Sequence, residues 1–137
     1  MKQLIAFDLD GTLAESKQPV DPAMALLIAE LLDFVRVAVI SGGDWPQFET
    51  QVVSRLPGKT DLRKLFILPT TGTKLYRFEG GWKPVYAEVF DADERERILG
   101  AFEEALGEVD LAHETIWGER IEDRGSQITF SGLGQEA

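Results

Sequence analysis

The chain has 137 residues, a length that suits one domain or a domain plus part of another. It has no cysteine, which excludes disulfides and a cysteine nucleophile, and its single histidine, His113, leaves no room for a multi-histidine zinc site. A formal charge of −10 argues against nucleic acid or an anionic membrane as partner, and no apolar run is long enough to cross a bilayer.

The N-terminal MKQLIAFDLD runs from a short apolar stretch directly into acidic residues. A secretory signal needs a longer apolar region and a small-residue cleavage site, so a cytoplasmic location is expected. Residues 2–7 read as a short buried strand. Residues 11–20 form a loop marked by Gly, Ser and Pro. Asp21 followed by Pro22 is a helix start, and Met24, Leu27, Ile28, Leu31 and Leu32 make one apolar stripe as far as about Asp33. Residues 35–40, VRVAVI, are a second strand that ends at Ser41-Gly42-Gly43. A helix is expected from about Pro46 to Leu56, and LFIL, 65–68, is a third strand. This alternation calls for a parallel sheet with helices on both of its faces, a Rossmann-like α/β fold.

The pattern then changes. KLYRFEGGWKPVY reads as a hairpin about Gly80-Gly81. From about Asp93 to Leu106 the spacing is helical, with Ile98, Leu99, Phe102, Ala105 and Leu106 on one face and Gly107 as the stop. Two strand-like runs follow, roughly 115–122 and 127–131, joined at Asp123-Arg124-Gly125-Ser126. Residues 1–88 are therefore expected to form an α/β core, and residues 89–137 a partial α+β layer.

The chemistry is concentrated in FDLDGTL. Two close carboxylates repel, so pairing Asp8 and Asp10 at a strand end needs a reason. One is a hard cation: Mg²⁺ commonly binds one or two carboxylates together with phosphate oxygens. The other is a division of labour, in which one Asp attacks phosphorus and the second moves protons. A right-handed crossover places Asp8 and Ser41 at the same carboxyl edge of the sheet, where ligands of open α/β sheets bind. There Ser41 offers a hydroxyl, Gly42 and Gly43 let backbone N–H groups approach an anion, and the helix that follows starts beside them. Taken alone, Asp-x-Asp is equally a turn and a cap, and Ser-Gly-Gly a turn. Their meeting at one edge favours the functional reading.

FDLDGTL followed by VISGG resembles the haloacid dehalogenase superfamily of phosphatases and phosphotransferases. The resemblance implies Asp8 as nucleophile and Asp10 as general acid/base. It implies Mg²⁺ held by the Asp8 carboxylate and the Asp10 backbone carbonyl, with Thr12 supporting the Asp10 region. Ser41 and the Gly42 amide would bind the phosphoryl group, with Gly43 and Thr12 counted in the same phosphate site. The hairpin and the α+β segment resemble the branch with a large α/β cap, which includes phosphomannomutases and sugar-phosphate phosphatases. The tail IEDRGSQITFSGLGQ is similar to the phosphomannomutase cap, so Arg124 is expected to grip a distal phosphate, with Ser131 and Gly134 also matching. Thr129 stands where that family has Asn, and Gln135 where it has Arg.

The superfamily's third-motif lysine and fourth-motif acidic pair have no good match. Lys59 and Lys64 lie in a polar connection, and Lys74 and Lys83 on the hairpin; Lys74 is the nearest stand-in. Asp91-x-Asp93 opens an amphipathic helix and suits capping better. A chain ending inside its cap is the expectation, with self-association through an exposed sheet edge or the cap. The expected function is an Mg²⁺-dependent phosphatase of a small phosphorylated metabolite, a sugar phosphate, working through an aspartyl-phosphate. The alternatives are a phosphomannomutase-type phosphotransferase and a catalytically incomplete binding module.

Overall fold

A computed structural model describes residues 3–111 and 115–137; His113 and Lys2 lie outside the described residues. The chain divides into two compact units, one ending at Ala87 and the other running from Glu88 to Ala137.

The first unit is built on a five-stranded sheet in the order β1-β2-β3-β4-β5. Strands β1 (Leu4–Asp8), β2 (Arg36–Ile40) and β3 (Leu65–Leu68) are parallel, with Asp8 level with Ile40 and Ile40 level with Leu68. Helices α1 (Pro22–Leu31) and α2 (Trp45–Gln51) are the two crossovers. The expected hairpin is β4 (Lys74–Phe78) with β5 (Trp82–Ala87), and it extends the sheet antiparallel from β3, so the sheet is mixed. Pro84, which has no N–H to donate, is accommodated because β5 is an edge strand.

With strand order 1-2-3, crossovers of the usual right hand send both helices to one face. The burial agrees. Val37, Val39, Leu65 and Ile67 form a single cluster with Ala25, Ile28 and Leu32 of the first crossover and with Phe48 and Val52 of the second. Of the alternate residues, Leu4 and Ala6 on the outer strand are exposed, Phe66 is half-buried and Ala38 on the central strand is buried. The expected α/β fold is thus present, as a mixed five-stranded sheet whose two crossover helices share the core of this unit.

Two helices differ from their expected patterns. On α1 the buried positions are Ala25, Ile28 and, just past its end, Leu32, whereas Leu27 is 58% exposed and leaves the stripe. Helix α2 stops at Gln51, short of the expected Leu56. The Gln51 carbonyl accepts from the Val20 N–H at 2.9 Å, and Arg55 N–H turns to Val52 instead, closing a 3₁₀ turn over Val53–Arg55. A capture of this carbonyl by the incoming loop ends the α-helical ladder.

In the second unit, α3 (Ala92–Gly107) starts at Asp91, whose carboxylate accepts from Glu94 N–H at 2.8 Å, the capping role expected of that residue type. Ile98, Leu99, Phe102 and Leu106 are half-buried, but Ala105 is exposed. Phe102 stacks on Phe130 with ring centroids 6.1 Å apart. Strands β6 (Ile121–Asp123) and β7 (Ile128–Phe130) pair antiparallel and are shorter than the expected runs.

Candidate functional site

Three strands deliver the site to one edge. Asp8 closes β1, Ile40 closes β2 immediately before Ser41, and Leu68 closes β3, all in register. Beyond Asp8 the chain curls back on itself: the Leu9 carbonyl accepts from the N–H groups of Thr12, Leu13 and Ala14. Leu9 is fully buried, Asp8 is exposed and Asp10 is half-buried. Burial of the intervening leucine anchors the two aspartates at the surface.

The two carboxylates have different surroundings. The Asp8 carboxylate accepts from the Thr12 hydroxyl at 3.5 Å, where the expected role of Thr12 was support of the Asp10 region. Asp10 has N–H donors on both oxygens. Lys17 N–H (3.1 Å) and the Gln51 amide (3.3 Å) donate to Oδ1, and the Gln47 amide (3.3 Å) donates to Oδ2. Gln47 and Gln51 are one turn apart on α2, which puts both amides on the same face. The Gln51 side chain is 3% exposed and also donates to the Gln18 carbonyl at 2.5 Å, fixing which way its amide points. Its own Oε1 is buried without a partner.

The Ser41–Gly43 loop is tied to the loop after β3. Thr70 N–H donates to the Gly43 carbonyl at 2.8 Å, and Thr71 N–H to the Ser41 carbonyl at 2.9 Å. Ser41 and Gly43 are buried, and Gly42 is exposed. A Cβ on Gly43 would fall 1.7 Å from Gln47 Oε1, so the absence of a side chain there makes room for the amide that reaches Asp10. Because α2 has only seven residues, its end contributes less than the expected longer helix. Its cap, Asp44, also accepts from Lys74 Nζ at 3.0 Å. Lys74 opens β4 at the same edge, and its side chain is 11% exposed. Lys74, the nearest stand-in for the third-motif lysine, is paired with Asp44 and braces the loop after β2.

The expected cap residues lie in the second unit. The Arg124 guanidinium donates twice to Glu122 Oε2, at 2.9 and 2.6 Å. The Ser131 hydroxyl donates to the Gly134 carbonyl at 2.9 Å and closes a turn. The Gln135 amide bridges the carbonyls of Arg120 and Thr129. In this geometry Arg124 is neutralised by its own strand neighbour.

Sequence reasoning missed Gln47, Gln51, Asp44 and the threonine pair Thr70-Thr71. The only sequence signal was the spacing of two glutamines four apart, just after the Ser-Gly-Gly loop.

A hard cation suits the oxygens here. Among the described residues the Asp8 carboxylate has only the Thr12 hydroxyl, whereas both Asp10 oxygens already accept N–H groups, leaving the Asp10 backbone carbonyl as its better donor. Among the described residues no group of three His, Cys, Asp or Glu side chains converges on a metal site. Two protein oxygens suit Mg²⁺, which keeps several of its waters, better than cations that demand a full protein cage. Among the same residues no helix is long and apolar enough to cross a membrane.

No family profile and no curated protein matches the chain. Solved structures do. An IMP-nucleotidase from Plasmodium falciparum superposes with a TM-score of 0.66 at 18% identity, over 92% of this chain and 38% of that one. A haloacid dehalogenase-like hydrolase from B. subtilis matches at TM-score 0.54 and 26% identity, over 77% of this chain and 34% of that one. Another from Bacteroides thetaiotaomicron matches at 0.53 and 22%, over 78% and 38%. The chain thus spans less than two fifths of the length of these structures. With paired aspartates closing the first of three parallel strands and Ser-Gly-Gly closing the second, the chain has the fold of the haloacid dehalogenase-like hydrolases.

Proposed function

We propose that this chain carries the phosphoryl-transfer edge of an Mg²⁺-dependent phosphatase acting on a small phosphorylated metabolite, a sugar phosphate. The observation that supports this best is the contrast between its two aspartates: Asp8 is exposed and lightly held, whereas Asp10 is gripped on both oxygens. A nucleophile needs an accessible oxygen, and a proton carrier needs a fixed position.

In this reading an Asp8 oxygen attacks phosphorus, the bond to the ester oxygen breaks, and protonated Asp10 gives that oxygen its proton. Water then attacks the aspartyl-phosphate, Asp10 takes the water's proton, and Asp8 and inorganic phosphate are released. Gln51 is buried and locked on the Gln18 carbonyl, so it stays a donor to Oδ1 throughout. Half-buried Gln47 is the donor that swings aside, which assigns the travelling proton to Oδ2. Ser41 and the Gly42 amide hold the transferred group. The Asp8 carboxylate and Asp10 carbonyl would hold Mg²⁺, which supplies positive charge for the phosphoryl oxygens.

The test is hydrolysis of a panel of phosphate esters that includes hexose phosphates and IMP, comparing wild type with Asp8→Asn. Loss of Mg²⁺-dependent phosphate release in the variant is expected; full activity in it sinks the assignment. A mutase is the second reading, and it predicts interconversion of hexose 1- and 6-phosphates with a bisphosphorylated activator. Gln135 at the position expected to be cationic, with its amide spent on two carbonyls, favours the phosphatase.

A further inference from the structure

Thr71 sits at the sheet edge in a conformation that its side chain resists. Its φ is 60° and its ψ 30°, and Thr70 before it has φ 50°. Left-handed backbone is uncommon outside glycine and is an outlier for a β-branched residue. Such conformations persist where surrounding structure imposes them, and they gather at ligand-binding and catalytic sites. Here the imposing bonds are visible: Thr70 N–H to the Gly43 carbonyl and Thr71 N–H to the Ser41 carbonyl.

The two threonines use their side chains differently. Thr70 is buried, with its hydroxyl 2.6 Å from that of Thr73, so its side chain has an internal use. Thr71 is exposed. Its N–H bond to Ser41 asks nothing of its side chain, and glycine or asparagine would hold the same backbone with less strain. Among the described residues its hydroxyl has no hydrogen-bond partner. That hydroxyl stands 4.0 Å from the point where a Cβ on Gly42 would lie, over the loop read as the phosphate site.

We propose that Thr71 is a phosphoryl-binding residue whose hydroxyl donates to an oxygen of the group held at Ser41 and Gly42. The inference rests on the reading of that loop as a phosphate site. It accounts for a strained β-branched residue where a relaxed one would fold equally well. The tether to the Ser41 carbonyl makes the hydroxyl move with the loop, so the two parts of the cradle keep their spacing.

The test is titration of the ¹⁵N-labelled chain with inorganic phosphate in the presence of Mg²⁺, following the amides of residues 8–12, 41–43 and 71. In wild type these amides are expected to shift and saturate. Thr71→Val keeps the branched shape and removes the hydroxyl, and should weaken phosphate binding roughly tenfold, the scale of a hydrogen bond to a charged group. Thr71→Ser should bind within about twofold of wild type. Thr71→Gly should also bind weakly while melting no lower than wild type, because strain is released. Wild-type affinity in both Thr71→Val and Thr71→Gly, with amides 41–43 still shifting, overturns the role of Thr71 and leaves the phosphate site standing. Weak binding in Thr71→Gly alone also overturns it, since the effect then belongs to the backbone. No shift at 8–12 or 41–43 in wild type overturns the phosphate site itself, and this inference with it.

Discussion

At the residue scale, the site is a set of small packing decisions around two carboxylates. Gly43 has no side chain because the Gln47 amide occupies that space, and Gln47 in turn holds Asp10. Gly43→Ala is therefore expected to push the flexible end of Gln47 off Asp10 and leave the fold intact. The Gln47 side-chain amide resonances would report this by moving to solvent-exposed positions. Lys74 offers a stability test. Its ammonium is largely withdrawn from water against Asp44, so Lys74→Met removes the ion pair and leaves Asp44 without its cation. A loss of roughly 1–3 kcal/mol in denaturant unfolding is expected; no loss would show that the pair is solvent-screened. The paired aspartates and Ser-Gly-Gly were legible in the sequence because their pattern is local. Gln47, Gln51 and Thr71 were not, because their roles depend on the phase of α2 and on which loop lies beside Ser41.

At the element scale, each helix is defined by what it buries and what stops it. Phe48 is fully enclosed between α2 and the sheet, so Phe48→Ala is expected to cost about 3–5 kcal/mol. Exposed Leu27, which the apolar spacing placed on the buried stripe, should cost within about 0.5 kcal/mol when changed to Ala. The sequence marked that α1 exists and where it starts, but an all-apolar surface around Leu26 and Leu27 hides which residues face inward. The early stop of α2 was invisible for a related reason, since it depends on the N–H of Val20, which is distant in sequence from Gln51. The start of α3 carries a pH signature. The Glu94 N–H holds the Asp91 carboxyl below its ordinary value of 3.8, and the hydrogen bond to Asp91, with its charge, raises Glu94 above 4.5. Asp91 therefore contributes stability above pH 3.8 that is lost as pH falls through its lowered value. Glu94 does the reverse: its contribution is present below pH 4.5 and is lost as pH rises through its raised value. Helical Cα shifts over residues 92–95 should accordingly be largest near pH 4 and smaller on either side. Both groups are fully exposed, so salt should flatten the profile. A profile flat at low salt would remove the assigned linkage.

At the scale of the whole molecule, the alternation of strand and helix was enough to foresee an α/β sheet and the edge at which its chemistry gathers. The hairpin was also legible, from two β-prone runs about Gly80-Gly81. Its joining of β3 was not, because edge pairing is decided by which strand is left open once β1, β2 and β3 are laid side by side. The consequence matters for function. With β4 antiparallel, Lys74 begins at the carboxyl edge and ties the new strand to the loop after β2. The net charge of −10 sets a field that opposes phosphate everywhere except where a cation offsets it. The account thus turns on whether Asp8 and the Asp10 carbonyl take Mg²⁺. The most direct measurement is a Mg²⁺ titration of the ¹⁵N-labelled chain. Saturable shifts confined to residues 8–12 are predicted, abolished in Asp8→Asn and much less affected in Asp10→Asn, whose backbone carbonyl is kept. Shifts that persist in Asp8→Asn, or that fall instead on the acidic face of α3, would contradict the account.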